Sequence, residues 1–548
     1  YLVFVVLVFL FVKRLFVEAG MGEKGWAPLF VAGGFGLHPL QTEAVSYIVQ
    51  RAEMLGSLFY LVGLMSFLKY GEGMGWKRWG WWGAGAVSFV LGWGSKQIVV
   101  TMPVMYLVYV YYFRERKERK RALVGMMPVV VLGMIAGVKM VMGFSGSTHI
   151  GFDIKGLGQP EYFYTEMRVL LTYLRLIFVP IGQNLDYDYR VYRSIWDLGV
   201  IVSVVVLLLV VGVGVYVKRH GGWWAVVSFG ILWFFIILAP TSTVVPLKDV
   251  IMEHRLYLAM MGVVVGVVGL VMVVVERGWL DVRGVGVGAV LVLVVLGVLT
   301  HERNRVWETR LSLWEDVVKK SPRKSRPHNN LGKILLEKGR LMEAFSEFQK
   351  AIELDPYHQS AYNNLGLVLM KMGDLGRAEY YFNEALRLDF NYPDPHINLG
   401  TVYLSRKEYD RALREFRLAL RLQPDNPGIY NNLGITHAEK GEFKDAIYYL
   451  AEAIRRNPSY FDAYNNLGKV YLNSGMSEAA VRMLTAALNI RPSAPDTIYN
   501  ISRAYLFLGD RKKAEEGYRR LVLLGSPLSE LLMEELKRKG MTEGVRQK

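Results

Sequence analysis

From Ser325 to Leu528 the chain repeats itself every 34 residues, and that period limits the fold more than any other feature. The triplets Asn330-Leu331-Gly332, Asn364-Leu365-Gly366, Asn398-Leu399-Gly400, Asn432-Leu433-Gly434 and Asn466-Leu467-Gly468 recur at this interval, with a degenerate sixth, Asn500-Ile501-Ser502. Ala344, Ala378, Ala412, Ala446, Ala480 and Ala514 keep the same step, as do Phe348, Phe382, Phe416, Leu450, Leu484 and Tyr518. Pro356, Pro424, Pro458 and Pro492 close four of the repeats. A period of this length is one supersecondary unit copied in line. The Leu-Gly pair and the small Ala let two antiparallel helices approach closely. The aromatic residue is expected to fill the gap to the next repeat, and Pro to stop the second helix. Six copies stack into a right-handed superhelix with a concave groove.

This pattern resembles the tetratricopeptide repeat (TPR), a helix–turn–helix unit. The Asn before each Leu (Asn330, Asn364, Asn398, Asn432, Asn466 and Asn500) has two readings. It braces the helix pair, or it forms an amide ladder along the groove. An amide is both donor and acceptor, so such a ladder could grip an extended peptide backbone whatever its side chains.

The 300 residues before the repeats are of another kind. The hydrophobic share of 52% is unevenly spread, with residues 1–300 rich in Val, Leu and Gly and residues 301–548 charged. Apolar runs fall near 1–12, 26–37, 54–70, 81–94, 98–113, 122–142, 195–217, 223–240, 256–275 and 284–300. Several approach the roughly 20 residues that span a bilayer. The expected fold is therefore all-α: a polytopic membrane bundle over 1–300, a linker helix over 301–324, six repeats over 325–528, and a capping helix and tail over 529–548.

The net charge of +16 does not point to nucleic acid. The densest basic cluster, Arg114 to Arg121, lies between two apolar runs and not on a soluble face interleaved with aromatics. It has the pattern of a cytoplasmic membrane loop. The chain has no cysteine, which excludes disulfides, Cys-ligated zinc and thiol catalysis. It begins inside an apolar run without an initiator Met, and reads as a fragment that starts within a membrane helix.

Basic residues sort the loops. Lys13, Arg14 and Lys24, then Lys77 and Arg78, the Arg114–Arg121 cluster, Lys218 and Arg219, and finally Arg277 and Arg283 mark the cytoplasmic side. Loops 38–53, 95–97, 143–194 and 241–254 then face outward. The segment 162–182 carries Arg168 and Arg175 and would break this alternation if it crossed, so it is expected to lie as an interfacial or re-entrant helix on the outer face. The last span delivers the repeats to the outer side, which in a bacterium places the protein in the inner membrane and the repeats in the periplasm.

The outward loops hold residues that are expensive at a helix mouth unless they face a polar cavity. They are His38, Glu43, Arg51 and Glu53; Lys96; Asp186, near Asn184 and Asp188; and Glu253, His254, Arg255 and Tyr257. Plainer readings stand beside the functional one. The cations could snorkel or pair with Glu43, Glu53 and Glu253. His38-Pro39 could be a helix stop, and Asp186 and Asp188 solvated loop acids or part of a cation-binding run.

The order of these pieces resembles the transmembrane-and-TPR O-mannosyltransferase family (TMTC-like) and its bacterial relatives. The matching segments are His38-Pro39 with Thr42-Glu43-Ala44-Val45, then Arg51-Ala52-Glu53, Lys96 before Thr101–Pro103, Tyr173-Leu174-Arg175 to Pro180 with Asp186, and Glu253-His254-Arg255-Leu256-Tyr257-Leu258. Gln97 and Ala259 depart from the Glu and Pro common in the family. The resemblance implies a GT-C type glycosyltransferase. Such an enzyme moves a mannose-type sugar, with inversion, from a polyprenyl-phosphate carrier to a protein Ser/Thr hydroxyl at the outer face. Arg51, Lys96 and Arg255 could hold the donor phosphate, and Glu43 or Glu253 could serve as base. GT-C enzymes usually carry the main acid in the first outer loop, which is expected to precede Tyr1. This reading names no certain cofactor; a divalent cation is left open, and the metal is unknown. The implied partners are the lipid bilayer, the lipid-linked sugar and a protein or peptide in the groove, with no nucleic acid. The rival reading is a non-catalytic membrane-anchored scaffold whose repeats bind an envelope assembly partner.

Overall fold

The computed structural model describes residues 1–21, 26–47, 50–73, 75–143, 157–244 and 246–539. Lys24, part of the 143–194 loop and the end of the tail lie outside them. The described residues are helical, with no β-strand among them. They form two compact units, Tyr1–Pro327 and His328–Lys548.

The first unit comprises α1 (Leu2–Glu18), α2 (Ala27–Gly36), α3 (Gln41–Ser46), α4 (Arg51–Glu72), α5 (Lys77–Ser95), α6 (Met102–Phe113), α7 (Arg116–Gly143), α8 (Gln159–Phe178), α9 (Leu198–Val217), α10 (Gly222–Ala239), α11 (Leu256–Glu276), α12 (Val282–Val306) and α13 (Arg310–Lys320). Each of the ten apolar runs lies on a helix. Among the described residues, five helical segments are long and apolar enough to cross a membrane: Arg51–Glu72, Leu198–His220, Gly222–Ser242, Glu253–Glu276 and Val282–Val306. Others are short, as α2 is with ten residues, or open on charge, as α7 does with its basic first turns. α12 exposes Val287, Leu291, Val294 and Val298. A large apolar face of this kind fits a helix surrounded by lipid.

Trp233 of α10 is the hub of the core. Its ring lies 5.6 Å from Phe11, 5.7 Å from Tyr60 and 5.9 Å from Phe229, and its indole N–H donates to the Leu258 carbonyl at 3.0 Å. Beside it α10 and α11 touch through glycine. A Cβ on Gly262 would sit 2.6 Å from the Gly230 carbonyl oxygen and 2.7 Å from Trp233 Cδ1. Close approach through small residues is a usual way for apolar helices to pack in lipid.

Residues 301–324 do more than link. Their first turns extend α12, α13 follows, and Arg303 of α12 bonds Asp316 of α13 at 3.0 Å. Ser321 Oγ donates to the Asp186 carbonyl at 2.7 Å, tying the segment to the loop after α8.

The second unit consists of helix pairs, from Ser325–Glu337 with Leu341–Leu354 to Pro495–Phe507 with Arg511–Leu523. The aromatic position reaches toward the next repeat, as the spacing led us to expect: Leu450 shares a buried cluster with Leu467 and Val470, and Leu484 shares one with Ile501 and Ala504. It also packs on the glycine of its own pair: a Cβ on Gly332, Gly366 or Gly400 would meet the ring of Phe348, Phe382 or Phe416 at 2.7, 2.6 and 2.5 Å. The turn inside each pair needs positive φ, supplied by Gly339, Gly373, Gly441, Gly475 and Gly509; in the third repeat Lys407 adopts it at 61°. The helix Leu528–Arg538 covers the last repeat with Leu532 and Leu536.

Candidate active site

Four of the loop residues singled out above, Glu53, Lys96, His254 and Arg255, converge on one cavity. His38, at the end of α2, accepts from the Leu40 N–H through Nδ1 at 3.2 Å and meets the Ile177 carbonyl through Nε2 at 2.9 Å. Both ring nitrogens are used in the neutral form, and burial pushes the imidazole down to about 4. His38 thus braces α2 against α8.

Glu43 of α3 is buried, and its Oε1 lies 2.7 Å from His254 Nδ1. His254 is the middle residue of a single 3₁₀ turn, Glu253–Arg255, that leads into α11. Glu253 turns away from it, and its Oε1 accepts from the Asn184 N–H and the Tyr187 hydroxyl, both at 2.5 Å. Arg255 takes a third direction. Its guanidinium donates to Glu166 Oε1 at 3.3 Å, the Val250 carbonyl at 3.0 Å and the Asp249 carbonyl at 2.7 Å. Lys96, which ends α5, pairs with Glu53 of α4 at 2.6 Å.

Glu53, Lys96, His254 and Arg255 line one cavity of about 450 Å³, with Lys248, Asp249, Gln97 and Trp93. Glu43 stands behind His254, and neither Glu43 nor Glu253 lines the cavity. Arg51 is exposed at the start of α4 and also lies off it. Tyr257 sits in the aromatic core, 5.3 Å from Phe4 and 5.5 Å from Phe35. Asp186 is ion-paired to Lys324 and Arg326.

Four contributors were not foreseen: Glu166, Lys248, Asp249 and Arg326. Glu166 could have been found from its helix. It lies on the buried face of α8 with Tyr162, Val169, Leu170 and Tyr173, where a carboxylate needs a cationic partner. Burial pushes it up to about 7 against the pull of Arg255. Asp249 is also raised by burial, but two hydrogen bonds from Arg326, at 3.0 and 2.7 Å, outweigh that and hold it below the usual carboxylate range. Lys248 is exposed at the rim, with no carboxylate within ion-pairing distance among the described residues. Beyond His38, a second, apolar cavity of about 510 Å³ runs between α2, α11 and α12.

In the repeats, the Asn residues bond to one another. Asn364 Nδ2 donates to Asn329 Oδ1 at 2.9 Å, Asn398 to Asn363 at 2.8 Å and Asn466 to Asn431 at 2.9 Å. Each bond crosses from one repeat to the one before it, so these donors brace the stack. Among the described residues, the one trio with donor atoms placed to hold a metal ion is His437, Glu442 and Asp445, also in the repeats. Lys440 already occupies Glu442 at 2.9 Å.

Comparison with known proteins finds models that match the repeats and curated relatives of the chain. Residues 318–373, 400–441 and 436–475 match a TPR repeat model, and 360–392, 461–493 and 495–524 match tetratricopeptide repeat models. The curated relatives are TMTC-family protein O-mannosyl-transferases. The chain is 25% identical to protein O-mannosyl-transferase F38B6.6 of Caenorhabditis elegans over 328 residues, which is 59% of this chain and 45% of the relative. It is 23% identical to Tmtc3 of Drosophila melanogaster over 372 residues, 58% of this chain and 40% of that one. It is 33% identical to TMTC2 of Mus musculus over 109 residues, 19% and 13% of the two chains. The chain thus spans less than half the length of the curated relatives it matches. Among solved structures, it is similar to YrrB, described as a TPR protein with an unusual peptide-binding site, at 25% identity and a TM-score of 0.29 over 34% of this chain and 96% of that one. It is also similar to the type IV pilus biogenesis factor PilW, at 18% identity and a TM-score of 0.37 over 38% and 98%.

Proposed function

We propose that the chain is a membrane glycosyltransferase of the GT-C type, which moves a mannose-type sugar from a polyprenyl-phosphate donor to a protein hydroxyl at the outer face. The observation that carries this reading is the polar cavity built by α4, the end of α5, the 246–252 loop and the turn before α11. Its cations suit a departing phosphate. Lys96 and Arg255 stand in a partly closed site where a fixed charge stabilises a developing anion more than it would in water, and Lys248 adds a cation at the rim. The similarity to protein O-mannosyl-transferases supports the same chemistry. The basic loops at the opposite helix ends support an outer position for the cavity by the positive-inside rule, and the repeats are read as the holder of the protein acceptor.

The test is transfer from mannosyl polyprenyl phosphate to a Ser/Thr peptide by the full chain in lipid vesicles. Lys96→Ala and Arg255→Ala are each expected to lower transfer about 10²–10³-fold, the range for removing one stabilising group from such a site. If the wild-type chain transfers nothing yet binds peptide through its repeats, the membrane-anchored scaffold becomes the better reading.

A further inference from the structure

We propose that His254 accepts the proton of the acceptor hydroxyl and that Glu43 is its positioning residue. This rests on the transferase reading above. The carboxylates around the cavity are each committed elsewhere. Glu43 gives its Oε1 to His254 and does not line the cavity. Glu253 is turned toward Asn184 and Tyr187. Glu53 does line it, but lies 2.6 Å from Lys96 Nζ. Asp249 lines it and is clamped by both terminal nitrogens of Arg326.

His254 is different. A carboxylate can only accept, so the 2.7 Å contact with Glu43 places a proton on Nδ1, and in the neutral ring the lone pair is then on Nε2. Among the described residues the hydrogen bond of the His254 ring is the one through Nδ1, and the ring is part of the cavity wall. The same wall carries Lys96 and Arg255, so base and phosphate cations face one space.

The step balances. The hydroxyl proton moves to His254 Nε2 as the acceptor oxygen bonds the anomeric carbon. The bond from that carbon to the phosphate oxygen breaks, and its electron pair leaves on the phosphate, which Lys96 and Arg255 hold. The new imidazolium is stabilised by the Glu43 carboxylate and later returns its proton to water. A single displacement of this kind inverts the anomeric carbon.

The experiment uses the full chain in lipid vesicles with mannosyl polyprenyl phosphate and a Ser/Thr peptide, and measures kcat, KM and donor Kd separately. His254→Ala is expected to lower kcat about 10²–10⁴-fold, the usual contribution of a positioned base, with donor Kd unchanged and partial recovery in added imidazole. His254→Asn keeps a donor for Glu43 but has no atom in place of Nε2, so it should lose kcat to the same extent even if the alanine variant folds poorly. Glu43→Gln keeps a hydrogen-bond acceptor without the charge; it should lower kcat at constant KM, and imidazole should not restore it. A kcat within threefold of wild type for His254→Asn overturns the proposal while leaving the transferase reading intact. Absence of transfer by the wild-type chain overturns both.

Discussion

In the repeats, Asn364 and Asn398 find buried amide partners 35 residues earlier in the chain. In the first unit, Glu43 and Arg255 find theirs 211 and 89 residues away. The repeat pairs are neutral amides, cheap to bury once bonded, and each is nearly a copy of the last. The first unit buries ionic groups, whose removal from water costs several kcal/mol each before pairing returns any of it. Such a cluster is weak evidence for stability, and a group that costs so much to bury is better explained by chemistry. The repeats therefore spend their polar residues on stacking, whereas the first unit gathers its own around a cavity.

The sharpest way to break this contrast is through glycine, which both units use for close approach. Gly262→Val would push a side chain into the backbone of α10, which cannot yield. We expect a loss of more than about 4 kcal/mol, at the exceptional end of single substitutions. Gly366→Val instead meets the edge of the Phe382 ring, which can shift, and should cost about 1–3 kcal/mol. All 13 tryptophans lie before residue 328. Tryptophan emission during melting of the full chain in detergent should thus register the first variant and miss the second, which circular dichroism would report. A normal emission transition for Gly262→Val would mean that the glycine contact is not what holds α10 to α11.

A smaller effect sharpens the account of the ladder. Asn364→Ala leaves the Asn329 oxygen without its donor and should cost about 1–3 kcal/mol. Removing both amides should cost less than the sum, with a coupling of about 0.5–3 kcal/mol. Asn432 stands 35 residues after Ile397, whereas Asn364, Asn398, Asn466 and Asn500 each have an Asn at that distance, so Asn432→Ala should cost less than Asn364→Ala. Equal losses at the two sites would show that the ladder does not contribute through these bonds. The smallest effect runs the other way. Lys407 takes the φ of 61° that glycine supplies in the other repeats, and Lys407→Gly should stabilise the array by about 1 kcal/mol or less, read as a raised dichroism midpoint.

The repeat period by itself determined the second unit, because every helix there packs on a neighbour at a constant distance along the chain. The apolar runs likewise marked the helices of the first unit, and the polar residues at their mouths marked where a site would lie. Glu53, Lys96, His254 and Arg255 were legible on that ground alone. Only the tertiary structure decided how they are used. Three consecutive residues, Glu253, His254 and Arg255, leave one short turn in three directions, and no spacing rule separates them. Glu166 enters from α8, Asp249 from a loop, and Arg326 from the first turn of a helix that the sequence marked only as the start of the repeats. The physical reason is that a repeat is held by local, periodic contacts, whereas a buried charge is satisfied by whichever partner the packing of distant helices brings within about 3 Å.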